Sequence, residues 1–155
     1  MDKQLKAERY MRIYGQLMEL VKKSNDPIAR MATIAAILHH KFDYYFWTGF
    51  YRLVDDELTV TCYQGPVACQ TLRPHVGVCW ASIDQKKSMI VFDVNEFPGH
   101  IACDSHTASE ITVPVYNANN EIVAVLDVDS HKLCSFDVID EEWLEEIVKL
   151  IYVKD

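Results

Sequence analysis

Three cysteines stand in polar stretches rich in loop-forming residues: Cys69 in "PVACQT", Cys79 in "GVCWAS" and Cys103 in "HIACDS". Thiols prefer the core, so these settings raise chemistry beside packing. Zinc binding would need four ligands, usually in close CxxC or HxxxH pairs. No CxxC occurs, and the intervals from 69 to 79 and from 79 to 103 are far longer, so no metal site is expected. Redox work fits better. A thiolate that attacks an oxidised substrate becomes a sulfenic acid, and a second thiol resolves it as a disulfide. That scheme needs two or three thiols on facing loops, which the spacing allows. His100 and His106 flank Cys103 and would favour its thiolate if protonated, whereas Asp104 would oppose it. Cys62, in a β-run beside Val60, and Cys134, after Leu133, read as packing residues.

The second chemical feature is "VLDVDS", residues 125–130. Strand alternation places Asp127 and Asp129 on one face and Leu126 and Val128 on the other. Two like charges roughly 7 Å apart on one strand face repel if buried. Either that face meets water or it holds a cation. Glu110 opens the neighbouring β-run and could bring a third carboxylate to the same place. Three acids suit an ammonium group.

The elements that must position these residues follow from periodicity. Leu5, Ile13, Leu17, Leu20 and Val21 recur at helical spacing between residues 2 and 23. In "SNDP", Asn25 or Asp26 can cap a second helix with Pro27 in its first turn, and "IARMATIAAILHH" is apolar enough to be buried. "YYFWTGFYRLV" and "ELTVTCYQ", separated by "DD", read as a hairpin. A loop from Gly65 to Gly77, a short helix around Val78 to Gln85 and a strand in "SMIVFDV" follow. After the Cys103 loop, "EITVPVY" and "EIVAVLDVDS" are joined by the turn "NANN". "SFDVIDEEWLEEIVKLIY" reads as a closing helix capped by Ser135 or Asp137. Helices at both ends around an antiparallel sheet make an α+β arrangement.

Composition narrows the partners. The chain has 155 residues, 50% hydrophobic, with a formal net charge of -8. That predicts one domain spanning 1–155, long enough for a core. Acidity without a basic run argues against nucleic acid and anionic membrane surfaces. No apolar stretch is long enough to span a bilayer, and the first residues lack the apolar segment of a secretory signal, so a cytoplasmic location is expected. An odd number of cysteines in that compartment stays reduced unless used for redox work.

Taken together, "FWTGFY", "GPVAC", "GVC", "FPGHIACDS", "SEI" and "VLDVDS" resemble the free methionine-R-sulfoxide reductases, single GAF-domain enzymes that use thioredoxin as electron donor. The resemblance runs from about Tyr44 into the closing helix. It implies a GAF-like α+β fold with about six antiparallel strands and the terminal helices packed on one face. Carried over by motif, Cys103 is the catalytic thiol, Cys69 the resolving thiol and Cys79 the third redox thiol. Glu110, Asp127 and Asp129 are the substrate-binding acids and Trp47 the aromatic pocket wall. No bound cofactor is implied, and a homodimer is. Trp80 departs from the pattern, because many members carry a small residue after "GVC". The competing reading is a non-catalytic small-molecule or redox-sensing GAF domain, which gives three loop cysteines no task.

Overall fold

In the computed structural model, residues 1–100 and 105–154 are described. The chain opens with helix α1 (Lys3–Leu20), started by Asp2, whose carboxylate accepts from the backbone N–H groups of Gln4 and Leu5. Its buried stripe is Lys6, Tyr10, Ile13 and Leu17. Leu5 and Leu20 are exposed, so the inward face is rotated from the purely apolar one expected. The reason is Asp140. Lys6 Nζ reaches its Oδ2 at 2.8 Å, while Tyr10 and Tyr44 donate to its Oδ1 at 2.6 and 2.7 Å. A buried carboxylate satisfied this completely can hold a lysine inside.

Helix α2 (Pro27–Lys41) starts at Asp26, which accepts from Ile28 N–H, with Pro27 in the first turn. Strands β1 (Trp47–Val54) and β2 (Glu57–Gln64) form the expected hairpin. Its turn residues Asp55 and Asp56 both have positive φ, 51° and 59°, which matches the right-handed twist of a two-residue connection. The next segment is not all loop: Thr71–Leu72 adds a two-residue strand, β3, on the edge of β2. Helix α3 (Val78–Gln85) and a short strand β4 (Met89–Val91) follow. Strands β5 (Ser109–Tyr116) and β6 (Ile122–Ser130) then precede helix α4 (Val138–Val148), where Asp137 and Asp140 form a reciprocal capping box.

The six strands run in the order β3-β2-β1-β6-β5-β4, every neighbouring pair antiparallel. Alternation gives the sheet two different faces. Phe50, Ile111, Val113, Leu126 and Val128 point into the main core, packed with α1, α2 and α4. Each such side chain contributes about 1.5–3 kcal/mol by burial. The residues between them face the other way, toward α3 and the loops. There a smaller core holds Trp47, Tyr51, Leu58, Cys79, Trp80 and Val125. The fold is the expected α+β one, with the terminal helices on one face. The second face carries the chemistry.

Candidate active site

Strand register decides which acids meet. Glu110 on β5 lies opposite Asp129 on β6, and Thr112 lies opposite Asp127. On the other side of β6, Trp47 lies opposite Asp129 and Gly49 opposite Asp127. Because side chains alternate, Glu110, Asp127, Asp129, Trp47 and Tyr51 share the face turned from the main core. They line one cavity of about 60 Å³, closed by Ala68, Val76, Gly77, Val78, Cys79, His100 and Thr107 among others.

The aromatic wall depends on a glycine. Trp47 Nε1–H donates to the Pro66 carbonyl at 3.0 Å, and the indole stacks between Tyr63 and Tyr51 at 5.3 and 5.8 Å. This lays the ring across Gly49. A Cβ there would stand 2.6 Å from Trp47 Cη2 and clash with Tyr63 Cβ. The β1–β2 register also shifts between Gly49 and Tyr51, and such irregularities re-aim neighbouring side chains.

Helix α3 delivers Cys79. Gly77 takes φ 92° just before it, turning the chain into the helix, and Ser82 hydrogen-bonds Thr112 to dock the helix on β5. Cys79 is therefore a buried thiol in the first turn of the helix expected around Val78 to Gln85, although its Gly- and polar-rich neighbours also suggested a loop setting. Trp80 turns inward as well and is buried, with the His75 ring 4.5 Å from its own. The bulky residue at this position is accommodated as core.

Electrostatically the pocket is overloaded with acid. Glu110 is 5% and Asp127 6% exposed. Burial first, and the facing Asp127 and Asp129 next, push the Glu110 carboxyl well above its ordinary range. Burial also raises Asp127, although hydrogen bonds with Glu110, Cys79 and Asp129 partly offset this. Glu110 is the group that keeps a proton, and Asp127 is its acceptor. The Cys79 thiol is pushed up by burial and then by Asp127 and Glu110, so it stays an S–H hydrogen-bonded to Asp127. Even so, Asp127 Oδ1 is buried with no hydrogen-bond partner among the described residues. His100 Nδ1 stands 3.9 Å from Glu110 Oε1, and burial lowers the imidazole pKa, which favours the neutral ring. That weakens the idea of His100 as a cation activating a thiol.

The structure thus brings together Trp47, Cys79, Glu110, Asp127 and Asp129, with Cys69 near them through the neighbouring Ala68 wall. Cys69 is disulfide-bonded, whereas Cys62, Cys79 and Cys134 are free. Cys103 and Asp104 lie outside the described residues. His106 packs near Phe46, 6.3 Å between ring centres, rather than lining the pocket. Cys134 is exposed at φ 55°, so it is not the packing residue expected, while Cys62 is half-buried against the main core. Tyr51 was not singled out by sequence. Its signal is the period-two step from Trp47 through Gly49.

Comparison with known proteins places this geometry. The sequence pattern of the GAF domain matches residues 31–152. A GAF domain-containing protein A of Dictyostelium discoideum is 46% identical over 94% of this chain and 92% of that protein. A free methionine-R-sulfoxide reductase of Escherichia coli is 34% identical over 92% of this chain and 86% of its own length. This chain belongs to the GAF-domain free methionine-R-sulfoxide reductases. The crystal structure of the Neisseria meningitidis free methionine-R-sulfoxide reductase in complex with its substrate superposes on this family member with a TM-score of 0.90. It is 36% identical to it, covering 97% of this chain and 89% of that one. In this reductase-family chain the acid pocket opens on the sheet face opposite the terminal helices. Among its described residues no helix is long and apolar enough to cross a membrane.

Proposed function

We propose that this chain reduces free L-methionine (R)-S-oxide to methionine, with Cys103 as the attacking thiol and thioredoxin as the final electron donor. The observation that carries the reading is the acid trio beside Trp47, buried Glu110 and Asp127 with half-buried Asp129, in which Asp127 Oδ1 has no hydrogen-bond partner among the described residues. An α-ammonium supplies the missing donors and offsets the clustered charge. A residue inside a peptide has no such ammonium and would leave the carboxylates unpaired, so the pocket favours the free amino acid. Trp47 and Tyr51 give the S-methyl end an apolar wall.

In the reaction, the Cys103 sulfur attacks the sulfoxide sulfur and takes over its oxygen. Methionine leaves and Cys103 becomes a sulfenic acid. Glu110, which retains its proton, is the donor to the sulfoxide oxygen. The Cys69 thiol then condenses with the sulfenic acid, forming a disulfide and releasing water. A thioredoxin dithiol restores both thiols by exchange. Cys69 carries a disulfide while Cys79 is a buried, protonated thiol, which supports Cys69 as the resolving partner. A cytoplasmic homodimer is the corresponding expectation.

The test is NADPH consumption with thioredoxin and thioredoxin reductase, using each separated epimer of free methionine sulfoxide. Turnover of the R epimer alone is expected. No turnover of either epimer would favour a ligand-sensing GAF domain.

A further inference from the structure

Outside the ammonium argument, the same pocket contains a donor set for a metal. Cys79 Sγ, a Glu110 oxygen and an Asp127 oxygen all lie within 4.8 Å of one another, and all three residues are buried. Asp127 Oδ1 has no hydrogen-bond partner among the described residues. His100 Nε2, also buried and without a hydrogen-bond partner among the described residues, belongs to a ring on the same cavity wall. These groups come from α3, β5, β6 and the segment after β4, so no short CxxC-like spacing could announce them.

We propose that the substrate-free pocket binds a thiophilic divalent cation of the zinc class through Cys79, Glu110 and Asp127, and that the ion competes with the substrate's ammonium group. A sulfur ligand selects against magnesium and calcium, which take oxygen donors, and favours zinc or cobalt. Tetrahedral zinc ligands stand about 3.5 Å apart, so the three groups, all within 4.8 Å of one another, need to draw in by no more than about 1 Å. Three protein ligands leave the fourth position open to water. Binding expels the Cys79 thiol proton and the proton held by the carboxyl pair to solvent, with no change of oxidation state. Neutralising buried carboxylates is the same service the ammonium performs, hence the competition. The binding stands on this geometry, whereas its effect on turnover rests on the reductase reading.

The test uses the whole chain, fully reduced, freed of metal by chelator and titrated anaerobically with Co²⁺. The wild type, Cys103→Ser and Cys134→Ser should show thiolate-to-cobalt charge-transfer absorbance that Zn²⁺ displaces. Cys79→Ser should lose the band. Should Cys79→Ser fail to fold by circular dichroism, Glu110→Gln serves, with Co²⁺ affinity expected to fall at least tenfold. In a single turnover without external reductant, Zn²⁺ should slow methionine formation, and added substrate should relieve it. A band absent from the wild type, kept in Cys79→Ser or unweakened in Glu110→Gln overturns the site. Inhibition that substrate does not relieve overturns the competition. If the wild type forms no methionine at all, the reductase reading fails, while the cobalt spectra still decide the metal site.

Discussion

Replacing Asp127 by Asn keeps the shape of the side chain and removes its charge from the centre of the acid trio. Asp127 is buried and hydrogen-bonds Glu110 and Cys79, and its Oδ1 has no hydrogen-bond partner among the described residues. That oxygen is the best placed to receive the substrate ammonium. A hydrogen bond to a charged group contributes about 1.5–3 kcal/mol. At 1.4 kcal/mol per tenfold, Asp127→Asn should lower kcat/KM for the free R-sulfoxide by about 10- to 150-fold. Stability should move the other way. Glu110 and Asp127 both have folded-state pKa values above their ordinary carboxylate values. Groups raised in this way stabilise fully below the unfolded carboxylate pKa, near 4, and that contribution is lost as pH rises through their folded values. The ligand-free wild type should therefore lose Tm more steeply than Asp127→Asn as pH rises above about 4, because the variant has one titrating acid fewer. Steady-state kinetics beside thermal melts across pH supply both numbers. Unchanged kcat/KM in a folded Asp127→Asn protein would refute the ammonium assignment.

Three further outcomes follow from the same geometry. Cys69→Ser should release about one methionine per chain in a single turnover and fail to cycle with thioredoxin, while Cys103→Ser releases none; normal cycling of Cys69→Ser would move the resolving role to Cys79. Gly49→Ala should cost about 1–3 kcal/mol of stability and disturb Trp47 fluorescence, because its methyl group would occupy the space of the indole and Tyr63; urea unfolding with an unaltered midpoint would contradict this. Asp140→Asn should cost about 3–5 kcal/mol in the same unfolding measurement, since Lys6 is buried and keeps only the more distant Asp137 at 3.2 Å; a loss below about 1 kcal/mol would show that the network is not a structural tie.

Much of this arrangement was legible in local rules. The alternation in "VLDVDS" put Asp127 and Asp129 on one face, and Asp26 and Asp137 acted as caps because short carboxylates satisfy exposed N–H groups. The "DD" hairpin formed for reasons equally local. What could not be read was non-local. The pairing of Glu110 with Asp129 depends on β5–β6 register, and the arrival of Cys79 depends on where α3 docks. Strand β3 pairs over only two residues, too few to leave a period. The rotation of α1 was hidden for a different reason. Lys6 sits on the stripe of Tyr10, Ile13 and Leu17 at helical spacing, but a lysine reads as solvent-facing until its buried partner Asp140 is known.

The central claim is that this pocket selects a free amino acid bearing an R-configured sulfoxide. Its most direct measurement is chiral chromatography of racemic free methionine sulfoxide and of its N-acetyl derivative after incubation with the reduced protein in stoichiometric excess. Only the free R epimer should disappear, with methionine formed in equal amount, while the free S epimer and both N-acetyl epimers remain. Equal consumption of the N-acetylated R epimer would contradict it, because the buried acids would then have no ammonium to recognise.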